Sequence, residues 1–460
     1  MQFQVEHDPT VAAGPATAAR LQAAVDRAHS AGGGTVRIGP GVYVTTTLFL
    51  RSGVELHLER GARIVAFDGL DAYPPAPAAS NNKDQSQFHL VAAFDCEDVA
   101  ITGDGVIDGQ DERFWEPVAR PEDRLYGIFR FTPRPGPRSR PSPLFQIARC
   151  RGVKLAGFTA VRAPGWTVHV YDCDDVSVHG LTVRGHPYGP HTDGIGINGS
   201  RNVRVAHCDV DTGDDAIIVK ATEPGLVCSD VTVTNCTVAS NCAGLGLGAD
   251  VEGVIRDVVF ANCVVRKALR MIQVEMWFAG RVERAVFSGI VGRTFPDEGV
   301  ENERPIYVDI QEFKRAGGAL GQVRDLVFRD IVCASRGRIM LTAQDGSHIE
   351  GVTLDTVVVT VPEVEDPAVT VPRATSMQLS NFSPRTRAAR AAVVADNVDR
   401  LALRGVEYRW PAVGDAEAPA PEQRVPMHGL CLRLVRGLAD QSPRLSGNTP
   451  SVARVLEIEG

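Results

Sequence analysis

The 460-residue chain is short of positive charge: 48 Lys and Arg stand against 56 Asp and Glu, a formal net charge of −8. That excludes a nucleic-acid binder built on a basic surface, and no nucleic-acid partner is expected. No apolar run approaches the roughly 18 residues that span a bilayer, so no membrane partner is expected either. None of the ten cysteines stands in a CxxC pair. That spacing argues against a zinc site, and neither a metal nor a cofactor is expected. The opening residues, Met1 to Asp8, lack a basic segment followed by an apolar one, so no secretory signal is read. The cysteines are then expected to be reduced and the protein cytoplasmic. Wholesale disorder is excluded too, because the apolar fraction of 44% and charged fraction of 23% are those of a globular chain.

What is present is a repeat. An apolar-x-apolar pair, two or three mostly polar or small residues and a second apolar pair recur. Clear copies start at Val99, Val153, Val176, Val203, Val231 and Val258. Weaker copies start at Ala285, Leu326, Val352 and Leu401. Each is rich in Val, Ile and Thr with period-two alternation, which predicts short strands. A strand unit repeating every 20 to 30 residues or so predicts a solenoid, and the period is too short for propeller blades. A leucine-rich repeat needs a Leu/Asn consensus that is lacking. The prediction is all-β: a parallel β-helix solenoid. The longer steps before Val153, Leu326 and Leu401 hold either inserted loops or an unrecognised coil. Cys208, Cys236 and Cys263 share one slot and are expected to be a column of small buried side chains.

The ends of a solenoid need caps. Residues 16–30 carry Leu21, Ala24, Val25 and Ala28 at helical spacing and end at Gly32-Gly33-Gly34, which predicts an N-terminal capping helix. The Pro/Arg-rich stretch Thr132 to Pro143 reads as a loop, either the wall of a groove or an exposed excursion. Residues from about 411 to 460 read as a tail or C-terminal cap. Length alone would allow two or three domains. The repeat predicts a single domain over 1–460.

Stacked strands lie about 4.8 Å apart, so equivalent residues form columns. The slot two residues before each core pair holds Asp193, Asp215, Ala243, Arg270 and Arg304, with Asp214 beside Asp215. Three carboxylates thereby fall on two neighbouring coils, in His191-Thr192-Asp193-Gly194 and Gly213-Asp214-Asp215-Ala216. Like charges this close oppose joint ionisation, so one carboxyl is expected to keep its proton. A protonated acid beside an ionised base is what glycoside hydrolysis requires. Asp at turns, or a cation site, is the bland alternative. The opposite face of the strands is expected to point outward and offers His169, Tyr171, Lys220, Gln273, Glu275, Tyr307 and Asp309. Such a row suits a sugar-binding groove, or is merely a solvated face.

From residue 16 to about 335 the chain resembles the polygalacturonase family of glycoside hydrolases. The resemblance runs through GGGTVRIGPGVYVTTTLFLRSGVELHLERGARI from Gly32, GDGVIDGQ from Gly103 and RPSPLFQIARCRGVKLAGFTAVRAPGWTVHV from Arg140. Its specific part is HTDGI from His191 with GDDAI from Gly213. It implies an inverting hydrolase in which Asp214 protonates the leaving oxygen while Asp193 and Asp215 position and deprotonate water. It further implies that the parallel β-helix is right-handed. Substrate-binding roles are expected, from the column, the outward face and the matched motifs together, of Arg270, Gln273, Glu275, His169, Lys220, His191 and Arg304. Two departures stand out. The family's Gly-His-Gly is expected near Asn241-Cys242-Ala243-Gly244, where the His is lacking, and its Arg-Ile-Lys falls at Arg270-Met271-Ile272 without its Lys. Those groups help to hold a galacturonate carboxylate, and losing the Lys removes a charge-assisted contact. The expected substrate is therefore an oligosaccharide other than plain polygalacturonate, of rhamnogalacturonan type or with another non-uronate bond. A polysaccharide lyase or epimerase on the same scaffold, and a non-catalytic carbohydrate-binding β-helix, are the competing readings.

Overall fold

The computed structural model describes residues 1–77, 79–80, 85–120, 129–134, 140–294, 303–312, 318–361, 391–409, 428–440 and 444–446. Internal contacts divide the chain into two compact units, Met1–Ser240 and Asn241–Gly460. Each unit is a parallel β-helix.

In the first unit every coil contributes up to three strands. One stack runs Val91–Phe94, Phe145–Ala148, Val168–Tyr171, Ile195–Asn198 and Ile217–Ala221. A second runs Glu97–Gly103, Arg151–Ala156, Asp174–His179, Arg201–Ala206 and Val227–Thr234. The third runs Val106–Asp108, Thr159–Val161, Thr182–Arg184, Asp209–Thr212 and Thr237–Ser240. The repeat copies sit in register: Val99, Val153, Val176, Val203 and Val231 are direct partners in turn. Because Val99 pairs straight to Val153, the long step between them is an insertion and not a coil. In the second unit Val258, Ala285, Leu326, Val352 and Leu401 form the same kind of row, so its long steps are insertions as well.

A single backbone device makes one corner of each coil. In the first unit Gly157, Gly180, His207 and Asn235 all have positive φ, between 53° and 86°. In the second unit Asn262, Gly289, Asp330, Thr356 and Gly405 do the same. Gly and Asn reach this left-handed region at least cost, and one such residue turns the chain by a fixed amount. The residue after it points inward. In two coils this is Cys208 and Cys236, whose thiols donate to the carbonyls of Ala206 and Thr234 at 3.4 and 3.3 Å. Cys263 repeats the contact with Ala261 in the second unit. All ten cysteines are free, and nine are buried.

The capping helix spans Pro15–Ser30 and buries Thr17, Ala18, Leu21, Ala24, Val25 and Ala28. It also meets the backbone of the first coil. Gln22 Nε2 donates to Phe49 O and Phe49 N donates to Gln22 Oε1, both at 2.9 Å. That pair satisfies peptide groups which an open sheet edge would leave bare. A Cβ on Gly33, where the chain leaves the helix, would lie 2.7 Å from Gly53 O.

Three expectations change. Of the two readings of Thr132 to Pro143, the exposed excursion does not hold: Phe131–Pro133 pairs antiparallel with Trp115–Pro117, and Arg140 and Ser142 are buried. Residues 135–139 of it lie outside the described residues. In the tail, 411–427 lie outside the described residues, whereas His428–Arg436 is a strand paired parallel to Ala391–Arg409. Lastly, the outward row of the stack that runs from Val91–Phe94 to Ile217–Ala221 is not solvated. His169, Tyr171 and Lys220 are buried, as are Gln273, Glu275, Tyr307 and Asp309 in the second unit. The second stack keeps the expected alternation, with exposed or half-exposed residues such as Arg151 and Lys154 between its core valines.

Truncating Leu21 to Ala is expected to lower the stability of the first unit by about 2–5 kcal/mol, since the site is closed on all sides. Chemical denaturation of the variant against the parent reads the loss. A change within experimental error would show that the helix does not seal the coil.

Candidate active site

In the first unit the strand Ile195–Asn198 lies beside Ile217–Ala221, with Ile195 opposite Ile217. The residues just ahead of each strand are therefore neighbours. Thr167 N donates to Asp193 O at 2.8 Å, and Gly194 N donates to Asp215 O at 2.9 Å. These rungs put Asp193 and Asp215 in one column, as their spacing predicts. The turn at Gly213 needs glycine: a Cβ there would lie 2.5 Å from His186 O and 2.8 Å from Thr192 Oγ1. Thr192 accepts from Gly213 N at 3.1 Å, tying the two aspartate motifs together. Thr212 and Ser240 hydroxyls both donate to Asp214 O, at 2.8 and 2.7 Å.

The three carboxylates are nearly buried, and a carboxylate oxygen of Asp214 and one of Asp215 lie within 4.8 Å of each other. Lys220 Nζ stands 3.9 Å from Asp193 Oδ2 and 3.9 Å from Asp215 Oδ2. The same ammonium lies 5.2 Å from the centroid of the Trp166 ring. Asp214 faces differently: its Oδ2 is 3.7 Å from His191 Nδ1. The cluster is thus asymmetric, with a buried lysine between two carboxylates and an imidazole against the third.

His169, also expected at the site, is wholly buried. Its Nδ1 meets Gln146 Oε1 at 3.0 Å, and Asn198 Nδ2 meets its Nε2 at 3.3 Å, which fits the Nδ1–H tautomer. Burial, with His89 and Lys220 nearby, drops its pKa to about 3. It is a neutral, packed imidazole beneath the site. Several groups had no flag in the sequence. Arg140 is buried and its Nη1 donates to Pro190 O at 2.8 Å, which supports the His191 loop. Trp115 Nε1 donates to Pro164 O at 2.8 Å, and its ring lies 5.8 Å from that of His186. Phe129 packs 5.1 Å from the His191 ring. Their common signal was the composition of the long insertion, which names no partner.

The second unit holds the remaining expected residues. Ala243, Arg270 and Arg304 are successive partners, as the column predicts. Arg270 is committed: its Nη1 is 3.2 Å from Glu275 Oε2, and its Nη2 donates to Cys242 Sγ at 2.6 Å. Both members of the ion pair are buried. Arg304 donates to Glu303 O at 3.0 Å, and burial lowers its pKa to about 10. Gln273 is opposite Tyr307, and Glu275 is opposite Asp309. Among the described residues, Gln273 Oε1 is buried with no hydrogen-bond partner, and Tyr307 and Asp309 are buried side by side. Gln311 Nε2 donates to Asp309 Oδ2. Burial, reinforced by Glu275, holds the Asp309 carboxyl well above the usual carboxylate range.

The first unit is thus a parallel β-helix that bears a buried aspartate cluster. The sequence profile described as Glycosyl hydrolases family 28 matches residues 75–377, more than half of the chain. The chain belongs to glycosyl hydrolase family 28 and is a polygalacturonase-like glycoside hydrolase. It is 24% identical over 336 residues to the Endo-polygalacturonase of Pectobacterium carotovorum subsp. carotovorum, covering 69% of this chain and 78% of that one. It is 26% identical over 244 residues to a Probable polygalacturonase of Vitis vinifera, covering 50% of this chain and only 47% of that one. In structure it resembles the exopolygalacturonase of Thermotoga maritima with a TM-score of 0.67 at 19% identity, over 87% of this chain and 92% of that one. The family 28 exopolygalacturonase of Yersinia enterocolitica gives 0.68 at 16% identity, over 98% and 79% respectively. At these identities the structural likeness establishes the fold.

Asp309 carries a pH signature of its own. A carboxyl that titrates higher when folded supports the fold fully below its unfolded pKa, and that support fades as pH rises through the folded value. The parent is expected to lose stability on going from acid to alkaline conditions, and Asp309→Asn to lose less. Melting temperatures of both across that range check it; parallel curves would refute the assignment.

Proposed function

We propose that the chain is an inverting glycoside hydrolase of an oligosaccharide other than plain polygalacturonate, with rhamnogalacturonan-type substrates foremost. The observation that carries the mechanism is the position of Lys220 between Asp193 and Asp215. Its charge offsets theirs and suits both to act as carboxylates, and the polygalacturonase resemblance makes Asp214 the acid that carries the proton. Asp214 then delivers that proton to the glycosidic oxygen as the bond to the anomeric carbon breaks. Water bonds to the anomeric carbon from the opposite side, and Asp193 and Asp215 orient it and accept its proton. The product is one water heavier and its anomeric centre is inverted.

The substrate assignment rests on Arg270. The polygalacturonase resemblance makes this arginine part of a uronate clamp together with a lysine that here is Ile272. In this chain Glu275 already neutralises the guanidinium within the second unit. A neutralised guanidinium offers a uronate little net attraction, and Glu275 would repel it. The named relatives are polygalacturonases, so the departure lies in the bond chosen and not in the reaction class.

Mass spectrometry on oligogalacturonides, rhamnogalacturonan fragments and neutral glycans, with and without chelator, tests this directly. A product one water heavier and indifferent to chelator is expected from a non-polygalacturonate substrate. An unsaturated product would replace this reading with a lyase. Asp214→Asn is expected to cut kcat by about 10²–10⁴-fold with the fold intact. Activity kept within a few-fold would move the acid elsewhere. Lys220→Met should lower kcat and carry the acidic limb of the pH–rate profile to higher pH. An unshifted profile would leave the lysine only a packing role.

A further inference from the structure

Arginines of the first unit are, as a rule, spoken for. Arg63 and Arg162 bind Asp108, Arg149 binds Asp95, and Arg184 binds Asp209. Arg140 and Arg134 donate to the carbonyls of Pro190 and Trp115. Arg130 differs. Its guanidinium carbon lies 3.6 Å from the centroid of the Tyr188 ring. Among the described residues it has no ion pair and no side-chain hydrogen bond. The backbone around it is fixed, because Arg130 N donates to Tyr188 O at 3.0 Å and Val118 N donates to Arg130 O at 2.9 Å.

Its place matters as much as its freedom. The preceding residue, Phe129, is buried against the His191 ring at 5.1 Å, and His191 Nδ1 is 3.7 Å from Asp214 Oδ2. The following residue, Phe131, packs 4.9 Å from His186 and 5.6 Å from Trp115. The segment Phe129 to Phe131 is thus wedged against the loop that presents His191 to the acid cluster. Arg130 and Tyr188 are both half-buried, reachable from solvent yet partly shielded from it.

A planar guanidinium resting on an aromatic ring has its face covered and its N–H edge free. That is the arrangement that takes a carboxylate with two parallel hydrogen bonds. In a protein of net charge −8 an acidic sugar is repelled overall. An arginine held on Tyr188, next in sequence to the Phe129 that packs on His191, reverses that locally. We propose that Arg130, stacked on Tyr188, binds the carboxylate of a uronic acid residue in a subsite flanking Asp214. The assignment rests on the glycosidase reading above and deepens it. The substrate contains a uronate, recognised through Arg130, whereas Arg270 is already engaged by Glu275. A glycan in which acidic and neutral sugars alternate meets both conditions.

The test uses the full chain, its Arg130→Gln and Arg130→Lys variants, and Tyr188→Leu. Binding of trigalacturonate and of its carboxyl-reduced counterpart is measured by calorimetry, with melting temperatures as a folding control. Arg130→Gln is expected to reduce the preference for the acidic ligand over the neutral one by roughly tenfold or more. Arg130→Lys, a point charge without the fork, should retain part of that preference, and Tyr188→Leu should lose part of it. A Gln variant that keeps the full preference, or that weakens both ligands equally, overturns the assignment. Binding requires no turnover, so it can fail while the hydrolase reading stands, and it can succeed on a chain that hydrolyses none of the panel. With a cleavable acidic substrate, the same variant should raise KM far more than it lowers kcat. A loss confined to kcat would also overturn the proposal.

Discussion

Everything in this protein follows from the in-register stacking of parallel strands. Each coil must return its chain to the same point, about 4.8 Å further along, or the next ladder cannot form. The corner residues achieve this. Gly157, Gly180, His207 and Asn235 take the same left-handed conformation in turn. With the corners repeated, Val153, Val176, Val203 and Val231 become partners whatever the intervening residues are. An insertion such as the one between Val99 and Val153 is then accommodated, because it leaves and re-enters the stack at fixed points.

The same constraint builds the acid cluster. Carboxylates would not crowd together in a flexible loop, where repulsion would separate them. Here ladder bonds from Thr167 and Gly194 to the carbonyls of Asp193 and Asp215 hold the backbone in place. The electrostatic cost falls on the fold, and Lys220, buried beside Trp166, offsets part of it. A similar tension exists in the second unit, where Glu275 and Asp309 are register partners. There Arg270 answers one carboxylate, and the other is pushed toward its neutral form.

Much of the fold was legible. Period-two runs of Val, Ile and Thr mark strands because a strand with one face in the core needs that pattern. The helix over Leu21, Ala24, Val25 and Ala28 was legible for the corresponding reason at period 3.6. Asp193, Asp214 and Asp215 could be brought together by counting, since a solenoid converts sequence spacing into distance. The outward row could not be judged that way. Alternation says that His169 and Glu275 face away from the core, but not whether another segment covers them. Both are buried.

The sequence by itself determined the repeat, the register, the cap and the column of aspartates, because all four depend on local periodicity and coil length. Only the tertiary structure decided what each charge meets. It placed Lys220 between two carboxylates, closed Arg270 onto Glu275, and set Arg130 on the ring of Tyr188. Such pairings join residues with no shared period. They depend on where an insertion lands and which way a side chain turns, and no spacing rule encodes either.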